Sequence, residues 1–417
     1  MSRIKKIMAR EVLSANGLPT VEATVILDNG KVGIASYPGG KDSVLNALEL
    51  KDNDEKRFGG NGVLKAVGNV LSPIAPHLIG KDALKQHEID GKMIELDGTP
   101  NKSSLGANAI FSVSMAVAKA ASQTSNLPLY IYLRQLLHKR NPKPAIPIPL
   151  FNAINSSVDS ITGASDFDEF IVIPPSSKSF SDSLQMCMLI RKSLKQLLSS
   201  NGSFEAEYDD INTSGMPSNK EAFLVLKKAV ENIYRPGFDI FFGLNSRATN
   251  FARDGKYKIK DFSSPLSAKE LLGFYEDMIK DINILYLEDP FSYDDWTAWE
   301  NLTAKFSQNI AIIGGDLTAT NLNKLNLALE KKAISGIVIK PSQVGTVIES
   351  LAIAEAAKVI GLKIVVSHRN NETNDDFISD FAVAVSSDYV KLGTLSRGEN
   401  VSKYNRLLQI ESQLKVL

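Results

Sequence analysis

The second half of the chain repeats one pattern: a short apolar run, a sharp polar or glycine stop, and then a helical stretch. The clearest instance is Ile282-Asn-Ile-Leu-Tyr-Leu-Glu-Asp-Pro290, where the apolar run halts at Glu288, Asp289 and Pro290. Runs of this length closed by polar or Gly/Pro signals predict strands buried on both faces, as in parallel sheets. The same reading applies to Phe238–Gly243 leading to Asn245, Ile310–Ile313 leading to Gly315 and Asp316, and Ile334–Ile339 leading to Lys340. Leu362–Val366 leads to Ser367-His368-Arg369, and Tyr389-Val390 to Lys391. The stops Glu288, Gly315, Lys340, His368 and Lys391 are separated by 27, 25, 28 and 23 residues, the length of a β/α unit. At least six such strands in series predict a closed (β/α) barrel rather than an open sheet.

The intervening helices carry start and stop signals. Ser267-Ala-Lys-Glu270 has the form of a capping box, with Leu271, Leu272, Tyr275, Met278 and Ile279 on one stripe. Thr346-Val-Ile-Glu349 repeats the device, and Gly361 supplies a C-terminal stop.

The first third reads differently. Arg3–Leu13, Thr20–Leu27 and Lys31–Ser36 alternate as strands, joined by turns at Asn16-Gly17 and Asp28-Asn29-Gly30. Helical patterns follow over 62–79 and 107–124, the latter rich in Ala and Ser and suited to close packing. This predicts an α+β cap over residues 1–133, a basic, proline-containing linker at 134–143, and the barrel over 144–417. Within the barrel half, Ala145–Asn155 and Asp168–Pro174 read as strands and 180–199 as a helix. Ser199–Asn219 is polar and reads as a long loop.

Composition removes several alternatives. The formal net charge is zero over 417 residues, which gives no global attraction to nucleic acid or an anionic membrane. The single cysteine, Cys187, excludes an intrachain disulfide framework and a cysteine-rich zinc site. No run approaches the ~20 apolar residues of a membrane span, and the start lacks the apolar core of a secretory signal, so a cytoplasmic protein is expected.

A barrel gathers its strand-end residues at one mouth. Here that mouth collects Asn245, Glu288, Asp289, Asp316, Lys340, His368, Arg369 and Lys391, with Glu169 joining from an earlier strand. Lys340 follows Ile-Val-Ile, a setting in which burial can make a lysine a general base. Two lysines and an arginine suit an anionic, phosphorylated ligand.

These pieces resemble the enolase family over essentially the whole length. The resemblance rests on Gly17-Leu-Pro-Thr-Val-Glu22, Ala47-Leu-Glu-Leu-Lys-Asp52, Leu96-Asp-Gly-Thr99, Gly106-Ala-Asn-Ala-Ile110 and Glu169-Phe170. It continues through Asp254-Gly-Lys-Tyr257, Leu287-Glu-Asp-Pro-Phe291, Asp316-Leu-Thr-Ala-Thr-Asn321 and Ile339-Lys-Pro-Ser-Gln-Val-Gly345. Ser367-His-Arg-Asn-Asn-Glu-Thr373, Lys391-Leu-Gly393, Ser396-Arg397 and Lys403-Tyr-Asn405 complete it. The resemblance implies an N-terminal α+β cap on an enolase-type (β/α)8 TIM-like barrel, a homodimer, and the dehydration of 2-phosphoglycerate to phosphoenolpyruvate with Mg2+ stabilising the ene-diolate. By the same resemblance, Lys340 matches the base, Glu169 and Lys391 the acid side, and His368, Arg369 and Asn370 the substrate contacts.

The chain departs from the family pattern at the metal. Of three strand-end carboxylates, the first position holds Asn245, the second Glu288, and the third Gly315 followed by Asp316. Mg2+ prefers anionic oxygens in near-octahedral array, and glycine offers no side chain. A one-residue shift along a strand reverses the face, which turns Asp316 away from the mouth. The loop Pro38-Gly-Gly-Lys-Asp-Ser43 has Lys41 or Asp42 where the family has serine. Ser156-Ser-Val-Asp159 lacks the family's histidine, and Asp209 in Glu207-Tyr-Asp-Asp-Ile211 is the nearest acid for the leaving hydroxyl. Asn370 stands where the family has serine, and Asn16 where it has an arginine at the dimer contact. The expectation is an enolase-like protein with an eroded Mg2+ site and little or no hydratase activity. Two readings stay open beside it: a divergent active enolase using Asn245, Glu288 and Asp316 or Asp209, and a lyase or isomerase on another carboxylate with Lys340 as base.

Overall fold

The computed structural model describes residues 2–40, 46–138, 143–156, 165–200, 211 and 216–416. Three antiparallel strands open the chain: β1 (Ile4–Leu13), β2 (Pro19–Leu27) and β3 (Val32–Ser36), in the order β1-β2-β3. The buried helix Ala107–Thr124 lies across this sheet. A Cβ on Gly33 would stand 1.9 Å from the Ala116 carbonyl oxygen, so glycine is what lets β3 and this helix approach so closely. The stretch at 62–79 is not one regular helix. It runs as Leu64–Asn69 and Ala75–Leu78, joined by a widened turn that accommodates Pro73. Two further helices, Gln86–Asp97 and Leu129–Gln135, complete the cap.

The barrel strands are β4 (Ile148–Pro149), β5 (Phe151–Asn155), β6 (Glu169–Ile173) and β7 (Phe241–Asn245). A small hairpin of β8 (Ala252–Arg253) and β9 (Lys256–Tyr257) stands outside the sheet. Then come β10 (Ile284–Glu288), β11 (Ala311–Gly314), β12 (Gly336–Ile339), β13 (Lys363–Ser367) and β14 (Tyr389–Lys391). The sheet runs β4-β14-β13-β12-β11-β10-β7-β6-β5. Its two edges are halves of one segment, and Leu150 between them donates its N–H to Val390 O at 2.8 Å, which brings the barrel close to closure.

The barrel is mixed and nearly closed. β6 is antiparallel to both β5 and β7, while the remaining neighbours are parallel. The lumen is filled by Leu150, Ile171, Ile173, Tyr286, Ile313, Val338 and Val365.

Helix signals fared well. Ser267 accepts from Glu270 N while the Glu270 carboxylate accepts from Ser267 N at 2.7 Å, a complete capping box. Ile282 closes this helix, so β10 begins only at Ile284 after the left-handed Asn283. At Thr346 the box is half formed: the hydroxyl caps Glu349 N, but the Glu349 carboxylate pairs with Lys102 of the cap at 3.0 Å. Most of the loop expected over Ser199–Asn219 lies outside the described residues, and a helix follows at Asn219–Glu231. No helix among the described residues is long and apolar enough to cross a membrane.

Candidate active site

The mouth forms where β7, β10, β13 and β14 end and antiparallel β6 begins. Register places Glu169 beside Asn245, Asn245 beside Glu288, and Ser367 beside Lys391. Asp168, Glu169, Asn245, Arg247, Glu288, Asp289, Asp316, Lys340, Ser367, His368, Asn370 and Lys391 line one small polar cavity. Lys340, Lys391, Glu169, Glu288, Asn245, Asp316, His368 and Asn370 thus share this mouth. Asp209, Lys41, Asp42 and Asp159 lie outside the described residues.

Lys391 is the electrostatic centre. Its ammonium donates to Glu169 Oε2 at 2.6 Å and to both oxygens of Glu288, at 2.9 and 2.8 Å. All three residues are buried. Burial would lower the Lys391 pKa, but the two carboxylates hold it well above the ordinary lysine value. Burial likewise pushes Glu169 up, but the Lys391 charge and the hydrogen bonds from Lys391 and Asn245 win and hold it at about 2. The Tyr286 hydroxyl, in the lumen below, donates to Glu288 Oε2.

Asn245 takes part through its amide nitrogen. Nδ2 donates to Glu169 Oε2 at 2.9 Å, and Oδ1 accepts from Arg247 N at 3.2 Å. The amide oxygen thus accepts one hydrogen bond from the backbone of the following turn.

Beyond β11 the structure corrects the expected direction of Asp316. The strand ends at Gly314, so alternation no longer applies, and the ensuing turn carries the Asp316 carboxylate into the mouth. Asp289 sits in the left-handed region at φ 45°. Its carboxyl accepts Gly315 N at 2.9 Å and Asp316 N at 2.7 Å. Burial, then the charges of Asp316 and Glu288, push Asp289 up to about 8 against those two hydrogen bonds. Burial and the neighbouring Glu169 push Asp168 up to about 6.

Lys340 is half-buried, and its N–H is fixed by Thr320 Oγ1 at 3.0 Å. His368 is neutral at ordinary pH: burial, then the Lys391, Lys403 and Lys340 charges, hold it down to about 3 despite the pull of Glu169.

Arg369 turns elsewhere. Its guanidinium donates to Tyr37 Oη at 3.1 Å, Glu49 Oε1 at 3.2 Å and Gly40 O at 2.6 Å, all on the cap. The strand-end pattern placed it with the mouth residues, but it borders a separate cavity with Ser36, Pro38, Phe111 and Phe377. The cause is local: Glu372 Oε1 accepts Arg369 N at 3.0 Å, and Gly39 and Asn371 exchange backbone hydrogen bonds at 2.9 and 3.1 Å, drawing the turn under the cap.

Sequence reasoning missed Arg247, Asp168 and the role of Asp289 as a filler. The only local signal was their position next to strand ends already singled out.

The arrangement can hold a polar, charged ligand in contact with ammonium groups, and can keep carboxylates ionised in a buried setting. Among the described residues, no group of three or more His, Cys, Asp and Glu side chains has the geometry to hold a metal ion. Residues 4–133 match the family model of the enolase N-terminal domain, and residues 143–416 match that of the enolase C-terminal TIM barrel domain. Two matches in sequence order, together spanning nearly the whole described chain, lead to one statement: the chain belongs to the enolase family.

Proposed function

We propose that this enolase-family protein does not carry out ordinary Mg2+-dependent dehydration of 2-phosphoglycerate. The observation that carries the reading is the pairing of Lys391 with both oxygens of Glu288, at 2.9 and 2.8 Å. Glu288 is the one metal-position carboxylate left in sequence, and its lone pairs are directed at an ammonium.

The family's Mg2+ calls for anionic oxygens at about 2.0–2.1 Å in octahedral array. The donor set does not fit it. The Asn245 oxygen is bonded to Arg247 N, and Gly315 has no side chain. Without a Lewis acid at the reacting carboxylate, several kcal/mol of transition-state stabilisation are lost, and each ~1.4 kcal/mol is tenfold in rate.

In this reading Lys340 keeps the base position and Glu169 with Lys391 the acid side, with Asp209 the further acid. His368, Arg369 and Asn370 keep the substrate positions, and Glu288, Asn245 and Asp316 the positions of the lost metal. The protein is a cytoplasmic homodimer divided at 134–143, as a typical family member would be. Its small-molecule ligand, where it takes one, is a phosphorylated carboxylate. The Arg369 contacts with the cap argue that such a ligand has to compete with Glu49.

A second reading has its own support. The Asp289 carboxyl fills the space before Gly315, and Asp316 lies in the same mouth. An active enolase would use these two with Glu288, after Lys391 had moved aside.

Phosphoenolpyruvate formation from 2-phosphoglycerate across a Mg2+ titration separates the two. The first reading expects no metal-dependent turnover above background. Turnover at about 1 per second or faster, the ordinary enzyme range, would establish the second.

A further inference from the structure

The turn after β7 carries an arginine in a conformation that side chains with a Cβ avoid. Arg247 has φ 45° and ψ 49°, the left-handed region. The backbone around it is pinned: Ser246 N donates to Glu288 O at 2.9 Å, Arg247 N to Asn245 Oδ1 at 3.2 Å, and Ala248 N to Asp289 O at 3.0 Å. Strain of this kind persists where surroundings over-determine it, and it clusters at functional sites.

The conformation carries the Arg247 side chain over the mouth. Its Nε lies 3.5 Å from Asp316 Oδ2 and its Nη1 3.8 Å from Asp168 Oδ2. Asp316 Oδ2 is buried and accepts no hydrogen bond from the described residues. What this oxygen has is the charge of the guanidinium. Four of the five carboxyl residues of the mouth thus pair with two cations: Glu169 and Glu288 with Lys391, Asp168 and Asp316 with Arg247.

We propose that Arg247 is the residue that closes this carboxylate-rich mouth to divalent cations. This rests on the reading of the mouth as lacking the family's metal and names the side chain that keeps it so. A divalent ion entering between Asp168, Asp316 and Glu288 meets a fixed positive charge within about one ion-pair distance, where Coulomb repulsion in a partly buried site is strong. Lys391 bonds Glu169 and Glu288, whereas Asp168 and Asp316 lie within ion-pair distance of Arg247. Asp289 cannot draw the ion in on its own, as its oxygens hold the N–H groups of Gly315 and Asp316.

The test measures Mn2+ binding by electron paramagnetic resonance and Mg2+-dependent thermal shift on the full chain. The set is wild type, Arg247→Ala, Arg247→Gly, which accepts the left-handed backbone, and Arg247→Lys, which keeps the charge. Wild type and Arg247→Lys are expected to show no saturable binding up to about 1 mM Mn2+. Arg247→Ala and Arg247→Gly are expected to bind one Mn2+ at about 0.1–1 mM, the range of weakly assembled carboxylate sites. Adding Asp316→Asn to either is expected to weaken that binding at least about tenfold, since it removes one anionic ligand.

Folded Arg247→Ala and Arg247→Gly proteins that stay silent would overturn this inference and leave the proposed function standing. Gained binding that ignores Asp316→Asn would overturn it too. Wild-type protein that binds Mn2+ tightly and turns over 2-phosphoglycerate would overturn both.

Discussion

A Cβ built on Gly315 would stand 2.5 Å from Asp289 Oδ2, so the Asp289 carboxyl occupies the space where a side chain at position 315 would begin. It is anchored there by the N–H groups of Gly315 and Asp316. The two residues are complementary in volume. Loss of a side chain at 315 and the inward fold of Asp289 belong to one packing solution, which leaves no room for a side chain at 315.

Restoring the carboxylates therefore has a structural cost. Gly315→Asp has to expel Asp289, an overpacking effect of about 1–3 kcal/mol. Asn245→Asp replaces the donor to Glu169 with a second carboxylate at 2.9 Å. The double variant is expected to melt several degrees below wild type without metal and, once Arg247→Ala is added, to recover in Mg2+, by about 2.7 kcal/mol at a hundredfold excess over Kd. Thermal unfolding with and without Mg2+ checks this. A double variant indifferent to Mg2+, beside a wild type that responds, would show that these positions are not the metal site.

Lys391→Met tests the electrostatic centre. Removing one partner of a buried ion pair costs about 3–5 kcal/mol because the remaining charge is stranded. Here two carboxylates, Glu169 and Glu288, lose their cation at once. Chemical denaturation of Lys391→Met should show that loss, and adding Glu288→Gln should recover part of it. Additive losses in the double variant would contradict the pairing.

A pH effect comes from the opposite side of the cap–barrel contact. Asp90 accepts from Gln86 Nε2 at 3.0 Å, Ser114 Oγ at 2.7 Å and the barrel residue Ile348 N at 3.0 Å. Burial pushes its carboxyl from 3.8 up to about 7 despite these bonds. The folded value exceeds the unfolded one, so the folded state binds the extra proton. The Asp90 contribution is fully present below about pH 4 and is lost as pH rises to about 7, a range worth about 4 kcal/mol. The stability difference between wild type and Asp90→Asn, by denaturation at pH 5 and pH 8, should fall across that window. A flat difference would refute the assignment.

Much of the barrel was legible because its strands are buried on both faces. Ile284–Glu288 and Gly336–Ile339 are apolar runs that stop where chemistry begins, and that contrast survives in sequence. The helix Gln86–Asp97 was not legible, although its buried positions Gln86, Ile89, Asp90, Met93 and Asp97 keep helical spacing. Three of those five are polar, so the stripe is invisible to a hydrophobic count. The direction of β6 was hidden as well, since Glu169-Phe-Ile-Val-Ile173 reads the same whichever way it pairs. In the site, Arg247 was not legible, because nothing local predicts a left-handed arginine. The inward turn of Asp316 depended on where β11 ends, a boundary set by pairing with β10 and β12.

Arg369 offers the last test, because the family resemblance and its contacts point to different duties. As an interdomain clamp its guanidinium joins Tyr37, Glu49 and Gly40 of the cap, with its side chain 2% exposed and that of Glu49 22% exposed. Arg369→Ala then strands Glu49 and empties a buried site, at about 3–5 kcal/mol. Glu49→Gln keeps an acceptor oxygen in place and should cost about 1–2 kcal/mol. Tyr37→Phe removes one hydrogen bond and should cost about 1 kcal/mol. Chemical denaturation with limited proteolysis of the cap gives the order Arg369→Ala, Glu49→Gln, Tyr37→Phe from largest to smallest. If Arg369→Ala were as stable as wild type and lost only affinity for a phosphorylated ligand, the guanidinium would be a ligand group and its contacts with the cap incidental.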